Sequence, residues 1–235
     1  MSWASRAADN LLPLSREQHD LALALREWRY TGEFHDLEAP IENCQLCDHP
    51  EIRYQFEIRN LHTAHALLIG SECIHRFGIA ATDEEGRALD AIDTRRVVDR
   101  DRRKLIEDAR KRRVVTALVA LAHVDREFNI TSFLDYLQKR GAFTPKQLGI
   151  VLWRLAKHGV AHDPRDFKLT IRRDREKAQL LSMEDWQLRR IASCLSDSQK
   201  TYLLRARRAS PSIGAHPPFD FGVHRSSPRK GHLKE

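Results

Sequence analysis

The residues best equipped for chemistry are cysteines. Cys44 and Cys47 stand in the stretch ENCQLCDHPEIRY (residues 42–54), and Cys73 follows 26 residues after Cys47. C-x2-C is the spacing of a zinc knuckle, in which two thiolates from one tight turn grip a tetrahedral ion. A closed structural site takes four ligands, and the remaining cysteine, Cys194, lies between Ile191 and Leu195 in a pattern of helical core packing. The fourth donor is therefore expected from histidine. His75 forms a C-x-H pair with Cys73 and ranks first. His49, two residues past Cys47 and followed by Pro50, is the alternative. His62 and His65 fall at the tip of a predicted hairpin, far from the knuckle. The expected ion is Zn2+, because four unevenly spaced cysteines in a chain of 235 residues do not make a disulfide framework.

Those ligands need elements to position them. Residues 52–59, IRYQFEIR, alternate Ile52, Tyr54, Phe56 and Ile58 with Arg53, Gln55, Glu57 and Arg59. That is the period of a half-buried strand. ALLI at 66–69 supplies a partner strand, Gly70 ends it, and Ser71 is placed to N-cap a short helix bearing Cys73. Upstream, residues 15–30 open with a Ser15/Gln18 capping box and carry Leu21, Leu25 and Trp28 at helical spacing, which predicts an amphipathic helix. An irregular stretch through Gly32 to Pro40 is expected after it. An acidic connection at 81–94 leads into a long helical segment over 94–123. Thr131 to Arg140 reads as a helix stopped by Gly141, and Thr144-Pro145-Lys146-Gln147 as a capped helix start. Two further helices are predicted over 182–195 and 196–205, and a disordered basic tail from Ala206 onward.

The expected fold is α+β. An N-terminal helix and a small zinc-ribbon-like or treble-clef-like β-hairpin module occupy 1–94, a mainly helical basic domain 95–205, and the tail 206–235. The run C-Q-L-C…I-R-Y-x-F-E-I-R-N…L-L-I-G-S-E-C-I-x-R-F, over residues 44–77, resembles a zinc-ribbon-like module of uncharacterised bacterial and phage proteins. That resemblance implies metal binding and a bacterial or mobile-element setting, and it brings no reaction with it. In the four-cysteine form of the pattern the fourth thiolate would fall at Ser71, whose hydroxyl is a poor zinc ligand.

Charge divides the chain. Residues 1–94 hold 8 Arg and no Lys against 17 acidic residues, whereas 95–235 hold 32 basic against 16 acidic. The second part suits a polyanion. Its densest stretch, 95–113, offers Arg95, Arg96, Arg100, Arg102, Arg103, Lys104, Arg110, Lys111, Arg112 and Arg113 against four acids. Arginine forks are the best side-chain match to phosphate, so this segment is the expected contact for DNA or RNA.

No Walker A loop, GxGxxG, GxSxG or HExxH occurs, so the first reading is a non-enzymatic, zinc-stabilised nucleic-acid-binding protein. A protein-interaction or adaptor subunit of a larger bacterial or phage assembly, docking through the zinc module, is the alternative; a zinc-dependent nuclease comes third. No apolar run is long enough to span a membrane and the first residues lack a secretory pattern, so a cytoplasmic setting is expected.

Overall fold

A computed structural model describes residues 2–209. The chain divides into two units, Met1–Arg112 and Arg113–Glu235. The division falls inside one helix rather than at the 94/95 boundary that charge suggests.

In the first unit, α1 (Trp3–Leu11) begins at Ser2, whose hydroxyl accepts from the Ser5 amide, and a 3-10 turn over Leu12–Leu14 follows it. The helix predicted over 15–30 is confined to α2 (Leu21–Leu25), capped by Asp20 rather than by Ser15. Ser15 is used otherwise: it donates to the Leu11 carbonyl and accepts from the Trp28 indole, both at 2.8 Å. The chain then becomes β1 (Trp28–Asp36), where an irregular stretch was expected. Trp28 and Tyr30 alternate inward, and aromatic residues favour a pleated, half-buried surface. The pairing of β1 shifts register between Tyr30 and Phe34, around Gly32 at φ 87°. A glycine bulge of this kind breaks the period-2 pattern that marks a strand in sequence.

The predicted hairpin is present as β2 (Tyr54–Asn60) and β3 (Ala66–Ile69). It leads into α3 (Ser71–Arg76), with Gly70 rather than Ser71 at the cap position, and then to the two-residue β4 (Ala80–Ala81). The sheet order is β3-β2-β1-β4. β2 runs antiparallel to both its neighbours, and β4 is parallel to β1. Trp28, Tyr30, Phe56, Ile58, Ile69 and Ile74 are the centre of the core, and Cys44, Cys47 and Cys73 belong to it. Val98 and Leu105 of α4 (Ala91–Val124) close it. The Tyr30 hydroxyl donates to Asp101 at 3.0 Å.

The second unit is helical. After the end of α4 come α5 (Thr131–Arg140), α6 (Pro145–Lys157), α7 (Asp174–Leu181), α8 (Asp185–Ile191) and α9 (Asp197–Ala209). Gly141 ends α5 in the left-handed region at φ 67°, as its position predicts. Thr144 and Gln147 form the expected reciprocal capping box on α6. Val114, Leu118, Leu148, Val151, Leu155, Phe143 and Phe167 make the core. The start of the tail expected from Ala206 is instead helical, because α9 continues to Ala209; the rest of that expected tail lies outside the described residues. Among the described residues no helix is long and apolar enough to cross a membrane.

Candidate metal centre

The site starts from the knuckle between β1 and β2. The Asp48 amide donates to the Cys44 carbonyl at 2.9 Å, and the Cys44 amide to the His49 carbonyl at 2.9 Å. Asp48 at φ 55° and Glu51 at φ 58° let the chain reverse within so few residues. Gln45 fastens the turn to β3: its amide donates to the Leu68 carbonyl, and its side-chain oxygen accepts from the Leu68 amide. On the other side, the Asn10 amide group of α1 donates to the Leu46 carbonyl and the Asp48 carboxylate. The third sulfur comes from α3, where Cys73 occupies the first turn directly after the strand that Gly70 ends.

These constraints converge on three sulfurs. Among the described residues, Cys44, Cys47 and Cys73 form the group of metal-ligating side chains whose donor atoms all lie within 4.8 Å of one another, and all three are buried. Cys73 Sγ is 3.6 Å from Cys44 Sγ and 3.1 Å from Cys47 Sγ, far beyond a disulfide bond, and the cysteines are free thiols. A tetrahedral ion with bonds of about 2.3 Å sets its sulfurs about 3.8 Å apart. The cluster is already near that size, so these residues fit a thiophilic ion.

The electrostatics favour a thiolate at one member. Contact with Cys73, helped by the backbone amides of Gly70, Leu46 and Cys47, holds the Cys44 thiol down at about 5 against its burial. Burial pushes the Cys47 thiol up. Sharing with Cys44, and then burial, pushes Cys73 up further. Cys44 is therefore the sulfur that most readily gives up its proton, and a metal ion would take the cluster in its deprotonated form.

The histidines separate. His75 lies two residues along α3 from Cys73, which turns it about 200° around the helix axis. Its Nε2 faces Asp99 at 3.6 Å, and it lies outside the sulfur group. His49 also lies outside that group, with its ring 5.5 Å from Trp3. It lines, with Cys44, Cys73 and Ser71, a cavity of about 330 Å³. The C-x-H pair that ranks His75 first in sequence is separated by the turn of the helix, whereas the alternative, His49, shares a cavity with two of the sulfurs. Sequence reasoning missed the cations here. Arg76 stacks over Trp3 at 4.3 Å, and Arg53 over Tyr54 at 5.2 Å, and both line the cavity.

Most of the basic segment is engaged within the protein. Arg96 pairs with Asp93, Arg100 with Asp101, Arg102 with Glu72, Arg110 with Glu107, Lys111 with Asp108, Arg112 with Asp36 and Arg113 with Asp166. Arg103 donates to the Asp99 carbonyl, Lys104 lies over Phe34, and Arg95 is exposed. Three of these pairs, Arg96–Asp93, Arg110–Glu107 and Lys111–Asp108, are local i,i+3 contacts along the helix. Asp36, by contrast, meets Arg112 across 76 positions, and Arg53 makes a fork to the same carboxylate.

No protein-family model, curated protein or solved structure matches this chain.

Proposed function

We propose that this is a non-enzymatic nucleic-acid-binding protein whose first unit is fixed by Zn2+ and whose second unit binds the phosphate backbone. Cys44, Cys47 and Cys73 hold the ion in a zinc-ribbon-like arrangement, and His49, which shares a cavity with two of them, supplies the fourth donor.

The observation that carries the reading is how charge is left after pairing. Residues 1–112 hold 17 basic against 21 acidic side chains, and residues 113–235 hold 23 against 12. In the second unit Arg126, Lys139, Arg140, Lys146, Arg172, Arg175, Arg189, Arg205 and Arg208 are exposed and make no ion pair among the described residues. Unpaired exposed cations of this density are what counterion release from a polyanion requires. The segment 95–113 contributes less than its composition suggests. Its surface pairs are weak enough to exchange for phosphate, but Arg110 is only 8% exposed and held by Glu107.

The test is a salt titration of binding to DNA and RNA oligonucleotides by the purified full chain. Affinity should fall steeply with salt, and Arg205→Glu with Arg208→Glu should lower it about tenfold or more at low salt. Absence of binding at about 50 mM salt sinks the reading. For the ion, His49→Ala should weaken zinc retention while His75→Ala leaves it unchanged; the reverse result would restore His75 as the ligand.

A further inference from the structure

Large apolar side chains of the second unit are mostly in its core, but two indoles are not. Trp153 on α6 is 41% exposed and Trp186 beside it on α8 is 49% exposed. Both line one groove of about 480 Å³, together with Ile150, Met183, Lys146 and Arg190. The groove has a built floor. Gly149 sits inside α6, where glycine is unfavourable, and a Cβ there would lie 3.3 Å from the Met183 methyl. The missing side chain lets Met183 close against the helix.

Each indole also carries a cation. The Lys157 ammonium lies 5.2 Å from the Trp153 ring centre and the Arg190 guanidinium 5.2 Å from that of Trp186. The acid of the groove, Glu184, accepts from the Trp186 indole N–H and is spent on orienting that ring.

From this geometry we propose that the groove between α6 and α8 is a stacking site for unpaired bases of single-stranded nucleic acid. The proposal rests on the nucleic-acid reading above and extends it from phosphate to base. A half-exposed ring with a cation over it matches a nucleotide in both its parts: the base stacks on the exposed indole surface and the phosphate meets the ammonium or guanidinium. Stacking is indifferent to sequence, because every base presents a π-face. In a duplex those faces are covered by neighbouring pairs, so the groove selects single strands. An apolar partner helix could use Ile150 and Met183 equally well, but it would give the paired cations nothing to neutralise.

The experiment measures binding of the full-length protein to a thymine homopolymer and to a duplex at low salt by fluorescence anisotropy. The variants are Trp153→Ala, Trp186→Ala and the corresponding phenylalanines, with Arg190→Glu as a variant that leaves both rings in place. Each alanine should weaken homopolymer binding about tenfold, and phenylalanine should restore most of it. Duplex binding should change less than about twofold. Arg190→Glu should lower single-strand affinity with unchanged melting temperature. If the alanine variants bind the homopolymer like the unaltered chain while Arg205→Glu and Arg208→Glu lose it, the indoles take no part in binding the strand. The stacking proposal is then overturned, though the nucleic-acid reading stands. If the unaltered chain binds no oligonucleotide at all, both fall together.

Discussion

The two units reach stability by different routes. The second closes a core of aliphatic and aromatic side chains from capped helices, and the acids it buries, Asp125, Asp166 and Glu176, are each met by an arginine or by hydroxyls at the edge of that core. The first places three ionisable sulfurs inside its core, between a knuckle and a six-residue helix. It also buries the Asp36 carboxylate under two arginines and Asp101 under Tyr30. Helices with caps and a continuous apolar stripe are self-sufficient once packed. A small twisted sheet with a two-residue edge strand needs further cross-links. The lesson is that an acidic unit and a basic unit can differ less in their net charge than in what is done with each charged group.

Metal removal should separate the units most sharply. Structural zinc contributes on the order of 10 kcal/mol of folding free energy in small domains. Chelation or Cys73→Ala should therefore abolish the first unit's cooperative transition while leaving that of the second in place, as followed by calorimetry and by near-ultraviolet dichroism of buried Trp28. A single unchanged transition would break the comparison. The converse variant is Leu148→Ala in the fully buried stripe of α6. It should cost about 2–5 kcal/mol in the second unit and leave zinc content unaltered.

A smaller effect tests the buried acid. Hydrogen bonds from Arg53 hold the Asp36 carboxyl below the ordinary carboxylate range, against the cost of burial. Because its folded value is lowered, its contribution is complete above about pH 4, the unfolded value. That contribution is lost as pH falls through the folded value. Asp36→Asn should remove this component of the first unit's acid sensitivity and cost about 1.5–3 kcal/mol at neutral pH. A titration of stability identical to that of the unaltered chain would refute it. Least of all, Thr144→Ala should cost about 1 kcal/mol by removing the cap on α6, visible as a shift of the second unit's midpoint alone.

How much of this was legible depended on how local the signal was. The hairpin alternation, the Gly141 stop and the Thr144/Gln147 box each act within a few residues, and each is present where the pattern put it. The three cysteines were legible from their order relative to the hairpin. β1 was not, because Leu21, Leu25 and Trp28 imitate a helical stripe and Gly32 interrupts the alternation that would have given the strand away. The fate of the basic segment was hidden for another reason. Composition counts charges but does not say which find a carboxylate, and Arg112 finds one that is distant in sequence. The indole groove likewise joins two helices whose residues are more than thirty positions apart.

The fourth cysteine has a consequence of its own. Cys194 donates to the Pro164 carbonyl at 3.0 Å, is 8% exposed, and is pushed up to about 12 by burial. A thiol in that state is chemically silent near neutrality. Where Cys44, Cys47 and Cys73 are closed on a metal ion, as proposed, the rate of labelling at Cys194 clocks the opening of the second unit. The molecule carries a stopwatch for one half of itself, readable by mass spectrometry without any engineered probe.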